Sequence, residues 1–287
     1  MKQRVITGLI WGMVAILNLV FLYSPMMGIF ISVFSVIAVH EIEKVAKVKN
    51  IPVIVISMIF AGIVPFVNEY HLLTLFKFHI PLAVILVLYI FILLVLMLAF
   101  YEKTKFEHIA IVVFSSIAVP YGLSTFTLVR DVYKTFPQTF QQQSKGFYLF
   151  FLGLVCAWIT DMFAYFVGSK FGRHKMAPLI SPKKSIEGAI GGILGTVIFN
   201  MITLLIFNRF FFDTPIMSYW MLIPVSMVLS VMGMLGDLSA SVIKRNYGEK
   251  DFGTIMKGHG GIMDRFDSCL FVMPSIYAFV LFTQAIK

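Results

Sequence analysis

Lys257 to Ser268 reads KGHGGIMDRFDS and runs directly into CLFVMPSIYAFVLFTQAI, Cys269 to Ile286. The second stretch carries no charged residue and has the length and character of a bilayer-crossing helix, which needs about 20 apolar residues. The first holds a His, three glycines, two aspartates, a Lys and an Arg. Charge placed at the mouth of an apolar helix is costly unless it is paired or bound, so this junction asks for a functional reading.

Composition agrees with the apolar stretch. Of 287 residues, 59% are hydrophobic and only 13% are charged, where a soluble domain carries about 25% charged residues. Mean hydropathy is +0.92. The expected fold is therefore all-α, a polytopic integral membrane protein of about nine transmembrane helices. The spans are expected near 5–23, 26–40, 52–67, 80–100, 108–128, 146–168, 188–208, 217–236 and 268–286. The opening run MKQRVITGLIWGMVAILNLVFLY has no A-x-A cleavage site and is too long for a signal-peptide core, so it is expected to be a retained first span.

The charge balance sets the orientation. With the N-terminus cytoplasmic, 17 of the 23 Lys and Arg residues fall on the inner side and 6 on the outer. That bias predicts an N-inside, C-outside chain with an odd number of spans. The net charge of +9 is first this topology signal and second a hint of anionic partners. No nucleic-acid partner is expected. Cys156 and Cys269 lie in apolar runs, away from zinc-ligand spacing, and are expected to be structural thiols.

The halves differ. Up to residue 105 polar residues sit mostly in short connections, so 1–105 is expected to be a transmembrane scaffold. Residues 106–287 are expected to be the catalytic half, with cytoplasmic loops at 169–187 and 237–267. Here acids enter the spans: Asp161 in VCAWITDMFAYFVGSKFG and Asp237 in VMGMLGDLSASVIKR.

Asp237, Ser241, Lys244 and Arg245 are spaced i, i+4, i+7, i+8 and form one helical stripe. Snorkelling anchors explain Lys244 and Arg245 alone, but a carboxylate at membrane depth wants a partner or a cation. Asp264 and Asp267 are i, i+3 and share a face if a helix begins near Ile262. They are hard oxygen donors of the kind Mg²⁺ takes one or two at a time, alongside water and phosphate oxygens. GHGG offers a backbone without Cβ that can approach a phosphate, or simply a helix-breaking turn. His259 is a loop cap, a phosphate contact or a general acid–base. In SPKKSIEGAIGGILG, Ser181-Pro182 and Ser185 are alternative helix starts, and Lys183 and Lys184 can meet phosphates. Gly188/Gly192 and Gly191/Gly195 read as close helix packing, which is compatible with a homodimer. Glu187 has no such packing explanation. Asp161, Glu187, Asp237, Asp251, Asp264 and Asp267, set among many Lys and Arg, suit a metal-bound polyphosphate.

SVIKRNYGEKDFGTIMKGHGGIMDRFD, Ser241 to Asp267, resembles the signature of phosphatidate cytidylyltransferases (CDP-diacylglycerol synthases). The shared positions are Ser241, Lys244, Arg245, Lys250, Asp251, Gly253, His259, Gly260, Gly261, Asp264, Arg265 and Asp267. The upstream segment DMFAYFVGSKFGRHK with SPKKSIEGAIGG is similar to the family's second region. Met256-Lys257 departs from the family pattern. The resemblance implies that phosphatidate and CTP give CDP-diacylglycerol and pyrophosphate at a membrane-embedded, cytoplasm-facing site. It implies Mg²⁺, and a second cation in the same site, with Asp237 and Asp264 as ligands and Asp161, Asp251 and Asp267 completing the shell. Lys244, Arg245, Lys250 and Arg265 would meet phosphates. Lys183, Lys184 and Ser185 would hold the nucleotide or lipid head. The lipid phosphate is already ionised near neutral pH, which lessens the need for His259 as a base. Two other readings compete: a secondary transporter using Asp161 and Asp237 as cation or proton sites, and a basic lipid-binding scaffold. The chain shows no internal repeat of the kind transporters carry, and a scaffold leaves Asp237, Asp264 and Asp267 unexplained.

Overall fold

In the computed structural model, residues 12–14, 16–70, 82–256 and 260–285 are described. The helices are α1 (Met26–Val45), α2 (Ile51–Tyr70), α3 (Leu82–Ala99), α4 (Phe106–Arg130), α5 (Val132–Thr135), α6 (Gln143–Phe171), α7 (Ile186–Phe210), α8 (Tyr219–Asn246), α9 (Met263–Phe266) and α10 (Cys269–Ala285). Among the described residues, α1, α4, α6, α7 and α8 are long and apolar enough to cross a membrane. Ile51–Val67, Ala83–Ala99 and Cys269–Ala285 are shorter apolar helices. The protein is thus a helical, multi-pass membrane protein. Part of the expected span 5–23, residues 5–11 and 15, lies outside the described residues.

The chain divides into two units. One takes the described residues up to Ser124 together with Asn246–Arg265; the other takes Thr125–Arg245 and the chain from Phe266 onward. The signature segment after α8 belongs with the N-terminal helices.

In the first unit, Val53, Phe60 and Val64 of α2 pack with Tyr89 and Leu93 of α3 and with Ile109 and Val112 of α4. The Phe60 and Tyr89 rings stack with centroids 3.9 Å apart. Tyr89 Oη and Ser116 Oγ share a 2.6 Å hydrogen bond, and Ser32 Oγ donates to the Gly62 carbonyl at 2.7 Å. α3 is apolar on every side, which no aqueous face would tolerate and a bilayer accommodates.

In the second unit α7 carries its small and polar residues inward and its large apolar ones outward. Its buried stripe is Gly188, Gly192, Thr196, Asn200 and Thr203. Its outward stripe is Ile190, Leu194, Ile198, Ile202 and Leu205, each more than half exposed. Small residues let helices approach and polar ones bond across, since lipid tails are as apolar as leucine. Thr160 of α6 meets Thr196 Oγ1 at 2.9 Å and donates to Ser230 Oγ at 3.1 Å. Asn200 Nδ2 donates to Ser226 Oγ at 2.9 Å and to Cys156 Sγ at 3.3 Å. A Cβ on Gly192 would stand 2.8 Å from the Thr160 carbonyl, and one on Gly195 would strike Phe163. Both glycine pairs are therefore consumed against α6 of the same chain, and they carry no argument for a homodimer.

Two expectations change. The stretch 169–187 is not a plain loop, because α6 continues to Phe171 and an antiparallel hairpin follows, β1 (Lys175–Ala177) with β2 (Ser181–Ser185). Ala177 precedes Pro178 and Ser181 precedes Pro182, and a residue before proline is biased to extended backbone. Ser181-Pro182 is accordingly strand, and Ser185 alone caps α7, accepting from Gly188 N at 3.1 Å. The stretch 237–267 likewise begins as helix, because α8 runs unbroken to Asn246.

Candidate active site

In the second unit α6, the hairpin, α7 and α8 enclose a pocket of about 240 Å³. Asp161 and Tyr165 line it from α6, Lys183, Lys184 and Ser185 from β2, and Gly188 and Met234 from α7 and α8. Lys184 is ion-paired with Asp237 of α8. The hairpin is held in place by two tethers. Glu187 Oε2 accepts from Arg173 N at 3.1 Å, and Glu187 Oε1 lies 2.6 Å from His174 Nδ1. Arg245 Nε donates to the Ile180 carbonyl at 3.3 Å. Glu187, expected to bind substrate, is thus engaged with the 173–174 backbone. Arg245 reaches the hairpin turn.

The stripe on α8 is real, with Ser241 and Lys244 on its buried side. Asp267 is also buried, at 7% exposure. It reaches α8 because Gly236 has no side chain: a Cβ there would lie 2.5 Å from the Asp267 carbonyl. Burial holds the Asp267 carboxyl above the usual carboxylate range, and the charges of Asp237 and Asp161 push the same way. The Ser268 N–H, donating at 2.7 Å, and Lys244 oppose them. Asp267 is therefore the buried carboxyl of this unit that feels the charges of both Asp237 and Asp161.

The first unit carries the glycine-rich part of the signature. Asp264 Oδ2 accepts from Phe252 N at 2.8 Å and from Gly261 N at 2.9 Å. Met256 N donates to the Gly260 carbonyl at 3.0 Å. Gly260 has φ +83°, a left-handed conformation that glycine adopts without strain, and a Cβ there would come 2.8 Å from Asp264 Oδ2. Lys250, Asp251 and Arg265 are exposed. His259 and Lys257 lie outside the described residues. Asp264 and Asp267 do not share a helical face, because α9 ends at Phe266.

One acid in this unit has no counterpart in the sequence reading. Glu41 of α1 is 3% exposed, and its carboxylate accepts from Ile262 N at 3.2 Å and Met263 N at 2.9 Å. Its signal was an acid pair, Glu41 and Glu43, at the end of an apolar span.

Among the described residues no group of three or more His, Cys, Asp or Glu is close enough to hold a metal ion together. The donor chemistry still fits Mg²⁺, which takes hard oxygens and is commonly held by only one or two carboxylates plus substrate phosphates.

The fold and this pocket define a polytopic helical membrane protein with lysines and carboxylates gathered at one helix-hairpin junction. The chain belongs to the cytidylyltransferase family, whose model matches residues 2–283. A phosphatidate cytidylyltransferase of Staphylococcus aureus is 43% identical over 135 residues, covering 47% of this chain and 50% of that protein. Those of Staphylococcus haemolyticus and Staphylococcus saprophyticus are 44% and 40% identical over 132 and 139 residues, with similar coverage. The chain spans about half the length of the curated relatives it matches.

Proposed function

We propose that this protein transfers the cytidylyl group of CTP to phosphatidate, giving CDP-diacylglycerol and pyrophosphate for phospholipid synthesis. The observation that carries the reading is the pocket in which Lys183 and Lys184 stand beside Asp161, with Lys184 paired to Asp237. Cations alone would suit any anion. Cations interleaved with carboxylates suit an anion that arrives with a divalent metal. Membership of the cytidylyltransferase family and the likeness to phosphatidate cytidylyltransferases support a nucleotide and a lipid phosphate as that anion.

In the proposed reaction a phosphatidate phosphate oxygen bonds to the α-phosphorus of CTP. The bond from that phosphorus to the bridging oxygen breaks, and pyrophosphate leaves. Two anions must meet in line, so positioning and charge neutralisation carry the catalysis. Lys183 and Lys184 lie on a strand held by Glu187 and Arg245, which fixes their approach. Lys244, Arg245, Lys250 and Arg265 are the further phosphate contacts. Bound Mg²⁺ would supply charge neutralisation on the phosphates. Asp237 would hold it in the second unit with one further carboxylate, Asp161 or Asp267, and substrate phosphates in the remaining positions, and Asp264 keeps a cation-ligand role in the first. Asp251 and a second cation belong to the same proposal.

The Lys and Arg asymmetry supports a cytoplasmic-membrane location with the site facing the cytoplasm, where CTP is available. The acyl chains of phosphatidate would stay in lipid. Asp237 is tied to a lysine at the polar end of α8, which suits a phosphate site better than a transport path.

The test is direct. Purified protein in detergent receives phosphatidate, radiolabelled CTP and Mg²⁺, and the lipid phase is counted. Labelled lipid that co-migrates with CDP-diacylglycerol is expected; its absence in several detergents overturns the proposal.

A further inference from the structure

α9 is a four-residue helix, Met263–Phe266, that opens on the glycine-rich loop. The first N–H groups of a helix have no partner within it. Ile262 and Met263 are buried, at 0% and 6% exposure, so water is not at hand to take them. In α1, over 200 residues earlier in the chain, Glu41 supplies one oxygen to each: Oε1 to Ile262 N and Oε2 to Met263 N. The fit is close. A Cβ on Gly253 would strike Glu41 Oε1, and one on Gly261 would strike Oε2. Two glycines of the signature segment therefore have a reason for lacking side chains that lies within the protein.

We propose that Glu41 is a positioning residue for the signature loop. By fixing the backbone at 262–263 it sets where Asp264 projects. It also fixes the Gly261 N–H that Asp264 Oδ2 accepts from at 2.9 Å. The inference rests on the transferase reading of the chain. Glu41 touches no substrate in this scheme; it acts through the loop. A carboxylate suits the task because both its oxygens accept, whereas an amide would turn an N–H₂ toward one of the two N–H donors.

Glu41→Gln, purified as a monodisperse species melting near wild type, is expected to lose about tenfold or more in kcat/KM, because small misplacements of catalytic groups are costly. Hydrogen exchange at residues 260–264 is expected to quicken while the rest of α1 and α2 is unchanged. A merely structural Glu41 would lower the folded yield and leave both readouts of the folded fraction alone. Gly253→Ala gives a second arm. It is expected to impair the wild-type chain and to add little in a Glu41→Ala background, where the crowding is gone. Turnover within about twofold of wild type in Glu41→Gln, with unchanged exchange, overturns the proposal. Additive effects of Gly253→Ala and Glu41→Ala overturn it as well. If the wild-type chain makes no labelled lipid, the transferase reading fails, while the exchange arm still decides whether Glu41 orders the loop.

Discussion

Lys184 of the hairpin and Asp237 of α8 form an ion pair. Each side chain is 23% exposed, and a partly exposed pair contributes only about 0.2–1 kcal/mol to stability. Its value lies in bringing a cation from one element and a carboxylate from another to the same place. Asp237→Asn is expected to lower transfer about 100-fold or more with little change in melting temperature. Lys184→Ala is expected to cost about tenfold, mostly as a raised KM for CTP. Assays of both purified variants, alongside thermal melting, check this. A pair that serves only stability would instead show a melting shift with normal turnover of the folded fraction.

Asp264→Asn keeps an oxygen that can accept from Phe252 and Gly261, so the loop should hold its shape. The charge is lost, and transfer is expected to fall about 100-fold or more. Near-normal turnover would remove Asp264 from the proposed cation ligands.

The proposed donors are hard oxygens, so the activity should depend on a hard divalent cation. Excess EDTA is expected to bring lipid labelling to background, and added Mg²⁺ to restore it. Labelling that persists through chelation would count against Mg²⁺.

Gly192 faces the Thr160 carbonyl, with no room for a methyl group. Gly192→Ala is expected to destabilise the protein by about 1–3 kcal/mol through overpacking. Melting of the detergent-purified protein reads this directly. An unchanged midpoint would show that α6 and α7 part without cost.

Much of the fold was legible because a bilayer imposes a blunt rule. Each span needs a long apolar run, and such runs stand out in 82–99, 186–210 and 269–285. The small-residue face of α7 was equally plain, since Gly188, Gly191, Gly192 and Gly195 recur at helical spacing. The hairpin was not foreseen: SPKKS has the polarity of a loop, and its strand character comes from pairing with Lys175–Ala177. The tether of Glu187 to residues 173–174 was equally out of sight, being a matter of chain folding, not of pattern.

By itself the sequence determined the membrane class, the run of helices and the family resemblance, and it supplied the charged groups proposed for phosphate chemistry. These follow from local composition and short-range spacing. Only the tertiary structure decided which acid answers which group. Glu41, hundreds of residues from Ile262 and Met263 in the chain, meets them because α1 and the signature loop fold into one unit. Lys184 meets Asp237 because the hairpin folds back onto α8. Hydrogen bonds and ion pairs act over a few ångströms of space, and sequence distance carries no information about them.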